Sequence, residues 1–442
     1  METSAAAAAQ GWSMLLEDLL VTAMSFMEVP DVVRSGAVCT SWRSAYAAFR
    51  ALNLATPWQP PCLLYYARGG ADDDSNFGTP TSLYSPSTNA TFHLPLLDRI
   101  GGDIGNVIGS AYGWLLVTDK AANPYLLNPL TGARAALPPI TTLERVKGGF
   151  LDVHGVIVYN VDYRWSEPRP DMRYVTAQRA RKWMFHRAAI SAIPSDDYPC
   201  VVLLVHMPYE FSFARPGDDR WTSLSGLLSP LERGYIKSVA YSEKKGVFYV
   251  LQAAGSLHVL HLNGPAPVAR LYACTFSYYS SNRVDSKCRP YLIPLPSGGV
   301  LVMTRQWRRS GESPAERHNR NGSEAYMDKY VITTDIQLLE IHSDRCLVER
   351  PASPGDHALF LGRNSALYLP VQRLPVSLST TRGCTYLTDD VDSNTFHSPM
   401  KRLDLGVWDF QSGSMQKLGD IWPLRPWLDC PAPIWITPSL IS

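Results

Sequence analysis

The chain has 442 residues, more than the ~250–300 at which a single hydrophobic core stops growing, so its length predicts either several domains or a closed repeat fold. Hydrophobic residues make up 45% of the sequence and charged residues 18%, a composition that excludes a globally disordered protein. The formal net charge is +1, so general electrostatic attraction to nucleic acid or to an anionic membrane is not expected.

The cysteines are dispersed along the chain and form no CxxC pair: Cys39, Cys62, Cys200, Cys274, Cys288, Cys346, Cys384 and Cys430. Because the histidines are not clustered either, the sequence predicts no zinc site, no other metal, no cofactor and no disulfide framework. The N-terminal residues lack the basic and long apolar regions of a secretory signal, and no run of ~18 apolar residues occurs. We therefore expect a soluble protein of the cytoplasm, the nucleus or both, with no membrane and no nucleic acid among its partners.

Residues 12–50 predict a small module of three helices, preceded by a disordered segment at residues 1–11. In the first helix apolar residues recur at three- and four-residue spacing, and Ser13 is in position to cap it. Pro30 suits the first turn of a second helix that Gly36 ends, and a third helix begins at about Cys39. Because a module of this size cannot cover all its apolar residues, we expect some of them to contact a partner.

The segment LLEDLLVTAMSFMEVPDVVRSGAVCTSWRS, residues 15–44, resembles an F-box, the module that docks a substrate receptor onto the Skp-type adaptor of cullin-based ubiquitin ligases. The positions that carry this resemblance are Leu15, Asp18, Leu19, Leu20, Asp31, Arg34, Val38, Cys39, Trp42 and Arg43. The chain departs from the family where Leu16 replaces the usual Pro and where Ala23 and Met24 replace an Ile-Leu pair. Each lost methylene removes ~0.8 kcal/mol of burial, so adaptor affinity is expected to be below average.

The resemblance implies an adaptor-docking surface made of the following residues: Leu15, Leu16, Leu19, Leu20, Met24, Pro30, Val38, Cys39 and Trp42. Among them Leu15, Leu19 and Leu20 are the strongest candidates, because they lie near the end of the module that resembles the adaptor-facing surface. For Val38 and Trp42, packing inside the module is an equal alternative.

After a linker at residues 51–60, the sequence changes to short strands separated by turns. Six strand-turn-strand units can be distinguished, at residues 83–95, 126–138, 213–224, 257–271, 338–351 and 406–418. The first two are closely similar and begin 43 residues apart. A period of about 40–50 residues built of strands and turns is typical of β-propeller blades.

The predicted fold class is therefore α+β multidomain, with the three-helix module at residues 12–50 and a large all-β propeller of about six blades at residues 61–442. The stretch at residues 433–439 is expected to close the ring against a strand near residues 62–66. Stretches such as GSAYGWLLVTD, YLLNPLTGARAALPP, KSVAYSEKKGVFYVL and PIWITPSL resemble one plant F-box family. In that family the C-terminal domain, formerly classed only as a domain of unknown function, is regarded as a kelch-like propeller.

Catalytic motifs such as GxSxG, HExxH and paired carboxylates are absent from the sequence. His154, His206, His258 and His261 lie in strand-like segments, where a structural or surface histidine is far commoner than a catalytic base or a metal ligand. We therefore expect no catalytic residues and no enzymatic activity in this chain.

A basic and aromatic stretch occupies residues 164–187, with seven Arg or Lys residues interleaved with Trp, Tyr and Phe. Because Arg and aromatic residues are favoured at protein interfaces, this stretch predicts a target-binding surface that includes Trp165, Arg173, Arg181 and Trp183. The alternative is a solvated loop between blades.

Together with the resemblance, these features predict a substrate-receptor subunit of an SCF-type (Skp–cullin–F-box) E3 ubiquitin ligase. The module would bind the Skp adaptor and, through it, the cullin. The propeller would recruit a target protein, and the loops of the propeller would determine which target is bound. Such a receptor acts by proximity and performs no chemistry itself. Two alternatives remain: a propeller that binds a small molecule or a glycan independently of ubiquitination, and an enzyme on a propeller scaffold.

Overall fold

The computed structural model describes residues 14–52, 59–66, 80–94, 97, 106–162, 172–195, 199–207, 210–224, 226–228, 236–253, 255–274, 287–309, 331–342, 347–378, 383–388, 405–417 and 433–441. The first of these ranges is helical, and we call residues 14–52 the helical module. Its helices are α1 (Glu17–Met24), α2 (Val29–Ser35) and α3 (Thr40–Ala51).

The three helices begin and end largely where the sequence predicts. Pro30 lies in the first turn of α2, Gly36 follows its last residue, and Cys39 is the N-cap of α3. The predicted cap of α1 is wrong, because Leu16 occupies the N-cap position without a side-chain hydrogen bond, and Ser13 lies outside the described residues. Gly36 has ordinary helical dihedral angles, and a Cβ atom there would come within 2.8 Å of the Tyr46 ring, so close packing against α3 requires this glycine.

The strands of the remaining described residues form seven sheets. Blade 1 contains β1 (Cys62–Tyr66), β2 (Pro80–Ser85) and β3 (Ala90–His93), and blade 2 contains β4 (Asn106–Ala111), β5 (Trp114–Thr118), β6 (Pro124–Leu127) and β7 (Arg134–Ala136). Next come β8 (Val146–Leu151), β9 (Ile157–Asp162), β10 (Met172–Thr176) and helix α4 (Ala177–Trp183), which we call the insertion.

Blade 3 contains β11 (Phe185–Ile190), β12 (Val202–His206), β13 (Glu210–Ala214) and β14 (Thr222–Ser223), and blade 4 contains β15 (Ile236–Ser242), β16 (Val247–Gln252), β17 (Ser256–His261) and β18 (Val268–Cys274). Blade 5 contains β19 (Lys287–Pro294), β20 (Val300–Arg309), β21 (Val331–His342) and β22 (Leu347–Glu349). Blade 6 contains β23 (His357–Leu361), β24 (Leu367–Pro370), β25 (Cys384–Leu387), β26 (Gly406–Asp409) and β27 (Ser414–Lys417), and the last strand, β28 (Ile434–Ile436), returns to blade 1.

Neighbouring blades share buried apolar clusters, and six such clusters connect blades 1 to 6 into a closed ring. The insertion is not a seventh blade, because β4 of blade 2 lies directly beside β11 of blade 3. Each of the six strand-turn-strand units in the sequence coincides with the last strand pair of one blade. The expected propeller of about six blades is therefore confirmed.

Burial explains why the strands differ in composition. The strands β5, β12 and β16 are buried at every position, because neighbouring blades cover both of their faces, and they read as continuous apolar runs. The last strands of blades 2 and 6, β7 and β27, are mostly exposed and carry polar or small residues.

The ring closes through an antiparallel pairing between β28 and β1, which confirms the predicted closure. Cys62 pairs with Ile436, and Leu63 pairs with Trp435. The Trp435 side chain is fully buried, with its ring centroid 5.1 Å from that of Phe360 in blade 6. Because the Ser110 hydroxyl of blade 2 donates to the Trp435 carbonyl, this residue joins three blades.

We expect Trp435→Ala to lower the free energy of unfolding by about 3–5 kcal/mol, because it opens a cavity where blades 1 and 6 meet. Chemical denaturation followed by circular dichroism measures this change. The control is Leu271→Ala, whose side chain lies exposed on β18 and whose loss should cost less than about 0.5 kcal/mol. Equal stability of the two variants would contradict this account of ring closure.

Candidate interaction surfaces

The helical module carries two adjacent apolar stripes on α1, and one of them is buried. Leu20 and Met24 point into a core shared by the three helices, whose other buried members are Val29, Val32, Trp42, Ala45 and Phe49. The second stripe is exposed to solvent: Leu16 is 72% exposed, Leu19 is 54% exposed and Phe26, in the turn that continues α1, is 80% exposed. An apolar stripe of this kind on a surface is a typical site for a partner protein.

The residues predicted to dock an adaptor therefore fall into three groups. Leu16, Leu19 and Val38 are exposed, and Leu15 and Cys39 are half-buried. The remaining four, Leu20, Met24, Pro30 and Trp42, are buried. Leu20, Met24 and Trp42 lie in the core that the three helices share, whereas adaptor contact by the exposed residues stays a prediction.

Phe26 is a candidate that the sequence reasoning missed. It follows Leu16, Leu19 and Ala23 at helical spacing, so a second stripe was present in the sequence beside the one formed by Leu20 and Met24. Periodicity alone does not tell which of two adjacent stripes faces the core.

Polar contacts hold the helical module against blade 1. The Glu28 carboxylate accepts hydrogen bonds from the hydroxyls of Ser87 at 2.6 Å and Ser85 at 3.3 Å, both at the β2–β3 turn. Gln59, just before β1, accepts a hydrogen bond from the Val29 amide at 2.7 Å. The guanidinium of Arg34 lies over the Phe92 ring, 4.4 Å from its centroid.

The C-terminal segment that follows β28 adds an apolar contact to this attachment. Leu440 is buried in the core of the helical module, and Leu130 of blade 2 packs against the same cluster. The Asn128 side-chain amide donates to the carbonyls of Ser439 and Ile441, each at 3.0 Å, and thereby holds the segment in place. The helical module is thus packed onto the propeller at blades 1 and 2.

We expect Leu440→Asp to loosen the helical module without opening the ring, because a carboxylate is costly to bury in an apolar core. Hydrogen exchange should then become faster in α1, α2 and α3 and stay unchanged in β5, β12 and β16. Ile441→Asp is the matched control, since Ile441 lies in the same segment but outside that core. Unchanged exchange in the Leu440 variant would show that the contact does not hold the module.

The insertion contains most of the described part of the predicted target-binding stretch. Arg173 on β10 is exposed and Arg181 on α4 is half-buried, while Trp165 lies outside the described residues. Trp183 is a correction: it is buried between blades 2 and 3, because α4 turns Ala177, Ala180 and Trp183 toward that core. The solvated-loop alternative is also wrong for residues 172–187, which form β10, α4 and the start of β11.

An exposed apolar patch lies on the insertion, and of its members only Tyr174 belongs to the stretch predicted to bind a target. Its members are Phe150, Leu151, Val153, Val156 and Tyr174. Phe150 and Tyr174 flank β9 on one face of the sheet, and their rings meet edge to face with centroids 5.7 Å apart. Val153 in the β8–β9 turn is 95% exposed and Tyr174 is 69% exposed.

An ion-pair group fastens the insertion to blade 3. Arg145, next to the first strand of the insertion, donates through Nε to the Glu210 carboxylate at 2.7 Å, and its Nη1 lies 3.6 Å from the Asp162 carboxylate. Glu210 begins β13 and Asp162 ends β9, so this arginine connects both elements. The patch is therefore carried by a sheet that is fixed to the ring.

Burial shifts the pKa of His206, Cys200 and Cys384 away from the ordinary values. His206 on β12 is fully buried; its Nδ1 donates to the Met207 carbonyl at 3.1 Å, and its Nε2 accepts from the Ser212 hydroxyl at 2.9 Å. Burial lowers the pKa of His206 to about 4. Burial also raises the pKa of the Cys200 and Cys384 thiols to about 11, so both are protonated at neutral pH.

His206 makes a stability contribution that depends on pH. In the unfolded chain a histidine titrates near pH ~6.5, so between about pH 6.5 and 4 the unfolded state binds a proton that the native state does not. The contribution is complete above pH ~6.5 and is lost as the pH falls toward 4. Between pH 7 and 4.5 we expect the wild type to lose about 2–3 kcal/mol more stability than His206→Gln.

Chemical denaturation at both pH values measures this difference. The control is His154→Gln, because His154 lies exposed in the β8–β9 turn. An equal loss of stability in the wild type and the His206 variant would refute the assignment of a neutral buried imidazole.

No group of three or more His, Cys, Asp or Glu residues in the described ranges is arranged to hold a metal ion. Among the described helices, none is long and apolar enough to cross a membrane.

Comparison with known proteins finds a matching family model and several similar proteins. A family model described as the KIB1-4 beta-propeller matches residues 83–409, which run from β2 to the end of β26. The chain belongs to the KIB1-4 beta-propeller family. That result agrees with the ring of blades described above and confirms the resemblance to plant F-box proteins with a C-terminal propeller.

Three curated relatives of this family member come from Arabidopsis thaliana. A putative F-box protein, At5g55150, is 23% identical over 282 residues, which cover 64% of this chain and 63% of that protein. F-box/kelch-repeat protein KIB1 is 25% identical over 256 residues, or 57% of this chain and 53% of KIB1. F-box/kelch-repeat protein At1g57790 is 31% identical over 128 residues, or 29% of this chain and 32% of that protein. Each match spans less than two thirds of the relative's own length.

Proposed function

We propose that this chain is a substrate-receptor subunit of an SCF-type E3 ubiquitin ligase, acting in the cytoplasm, the nucleus or both. The observation that carries the proposal is the exposed apolar stripe of Leu16, Leu19 and Phe26 on a helical module that is packed against a propeller. The F-box names of the relatives support the same assignment.

The exposed stripe is the docking surface for a Skp-type adaptor. Covering each large apolar side chain on binding contributes about 1.5–3 kcal/mol, so Leu16, Leu19 and Phe26 together supply enough for a stable contact. Val38, exposed between α2 and α3, is a further candidate for adaptor contact. Through the adaptor the chain is linked to a cullin.

The receptor performs no chemistry in this mechanism. It holds a target protein close to a ubiquitin-conjugating enzyme, which raises the effective concentration of target lysines at the reacting thioester. The attachment of the helical module to blades 1 and 2 matters here, because a fixed module holds the target at a constant distance and orientation. A module on a flexible tether would spread the same target over a larger volume.

The test is co-expression of the full chain with a plant Skp-type adaptor, followed by affinity purification and a binding isotherm. We expect the wild type to retain the adaptor and the double variant Leu16→Glu/Leu19→Glu to bind it at least about 100-fold more weakly, because two exposed contacts become charged. Phe26→Glu should weaken binding by about tenfold or more.

Val376→Glu is the control, because Val376 is an exposed apolar residue of the propeller, far in sequence from the helical module. All these positions are exposed, so the variants should unfold at the same temperature as the wild type. A wild-type chain that does not retain the adaptor, or a double variant that retains it fully, would refute the proposed function.

A further inference from the structure

The described residues that follow β28, residues 437–441, lie between the ring and the helical module, and we call them the C-terminal tail. The tail passes directly over the β4–β5 turn of blade 2. Gly113 in that turn has a φ of +81°, and a Cβ atom there would come within 2.5 Å of the Ser439 Cβ and 2.9 Å of the Thr437 carbonyl oxygen. The tail is therefore in close contact with blade 2 where it leaves the strand that closes the ring.

Asn128 holds the tail through both ends of its side-chain amide. The side chain is fully buried, and its Nδ2 donates to the Ser439 and Ile441 carbonyls. Its Oδ1 accepts from the amides of Leu130 at 3.0 Å and Thr131 at 3.2 Å, in the β6–β7 turn. Because the two amide hydrogens and the two lone pairs of Oδ1 are all used, this side chain fixes the tail to the turn.

The core of the helical module is incomplete without the tail. Its three helices have 8, 7 and 12 residues, and helices of this length are marginal in isolation. In the described part of the chain, Leu440 is the one buried member of this core that comes from outside the module. Leu130 packs against the same core and against the core between blades 1 and 2. The order of the module therefore depends on contacts that the ring supplies.

We propose that the C-terminal tail couples ring closure to order in the helical module, and hence to adaptor docking, with Leu440 and Asn128 as its positioning residues. While β28 pairs with β1, Leu440 completes the core and Leu16 and Leu19 are presented on an ordered α1. When β28 separates from β1, Leu440 leaves the core and α1 loosens. The identity of the adaptor rests on the proposed function, whereas the coupling between ring and module does not.

Such a coupling acts in both directions, because a partner that binds only the closed state stabilises that state. A chain whose ring is open would bind the adaptor weakly, so an incomplete propeller would not occupy the ligase. Conversely, an adaptor bound at Leu16 and Leu19 would slow the opening of the β28–β1 pair. Packing that merely supports the module would have no such effect on β28.

The first test is hydrogen exchange of the full chain without adaptor. Asn128→Asp keeps the oxygen that accepts from the β6–β7 turn but places a second oxygen opposite the Ser439 and Ile441 carbonyls. We expect exchange in α1, α2 and α3 to become at least about tenfold faster, although no residue of the module is changed. Asn106→Asp is the matched control, because Asn106 also donates its side-chain amide to a carbonyl, that of Arg181 at 2.8 Å, and it should leave the module unchanged.

The second test opens the ring at its closure. Trp435→Ala should speed exchange in β28 and also in α1, α2 and α3, because Leu440 is withdrawn when β28 separates. Phe248→Ala is the matched control, since Phe248 is equally buried but lies in the core between blades 3 and 4. It creates a cavity of similar origin and should leave exchange in the module unchanged.

The third test adds a plant Skp-type adaptor to the wild type at about 100 times its Kd. Exchange in β28 and β1 should slow by about 100-fold, and exchange in β16 and β17 of blade 4 should stay the same. The adaptor should not slow β28 in the Leu16→Glu/Leu19→Glu variant. Leu440→Met, which conserves side-chain volume, should behave like the wild type.

Several results would overturn the coupling. One is unchanged exchange of the module in Asn128→Asp, and another is an equal effect of Trp435→Ala and Phe248→Ala on the module. A third is an adaptor that binds the wild type but leaves exchange in β28 unchanged, or slows blade 4 equally.

The ligase assignment can fail separately. If the wild type binds no adaptor while Asn128→Asp and Trp435→Ala loosen the module as expected, the proposed function is refuted and the coupling between ring and module stands. If the adaptor binds but these two variants leave the module unchanged, the coupling is refuted and the ligase assignment stands.

Discussion

The last described strand, β28, hydrogen-bonds to β1 and closes the ring of blades. The other five blades depend on this pairing, because every blade buries its apolar faces against its two neighbouring blades. A chain of blades with open ends would leave the apolar faces of the first and last sheets in water. Trp435 lies at this junction, buried against Phe360 and bonded through its carbonyl to Ser110, so one residue contacts the sheets on either side of its own. Ring closure is thus a contact between residues about 370 positions apart.

The same segment also connects the ring to the helical module. Leu440 follows β28 by four residues and is buried among α1, α2 and α3, while Asn128 of blade 2 holds the neighbouring backbone. The pairing that closes the ring therefore also positions Leu440, against which the helical module packs. The exposed stripe of Leu16, Leu19 and Phe26 is presented from a fixed position relative to the blades for the same reason.

The insertion shows where sequence patterns misplace a surface. In the basic and aromatic stretch at residues 164–187, Arg173 is exposed, but Trp183 is buried and Arg181 is half-buried. Most of the apolar patch lies instead in Phe150, Leu151, Val153 and Val156, which precede that stretch in the chain. Phe150 and Leu151 lie on β8, the last strand of a three-stranded sheet that blade 3 does not continue, and Val153 lies in the turn that follows.

The sequence by itself determined the kinds of element and their order. Turn residues between short apolar runs recur once per blade, and helical spacing before residue 51 separates the module from the strands, because both patterns arise from local backbone geometry. Only the tertiary structure decided which of the two apolar stripes of α1 is covered, that β8–β10 and α4 stand outside the ring, and that Trp183 points inward. Periodicity indicates which residues share a face of a helix or strand. Whether that face is covered depends on contacts with residues distant in the chain, such as Leu440, and no local pattern encodes those contacts.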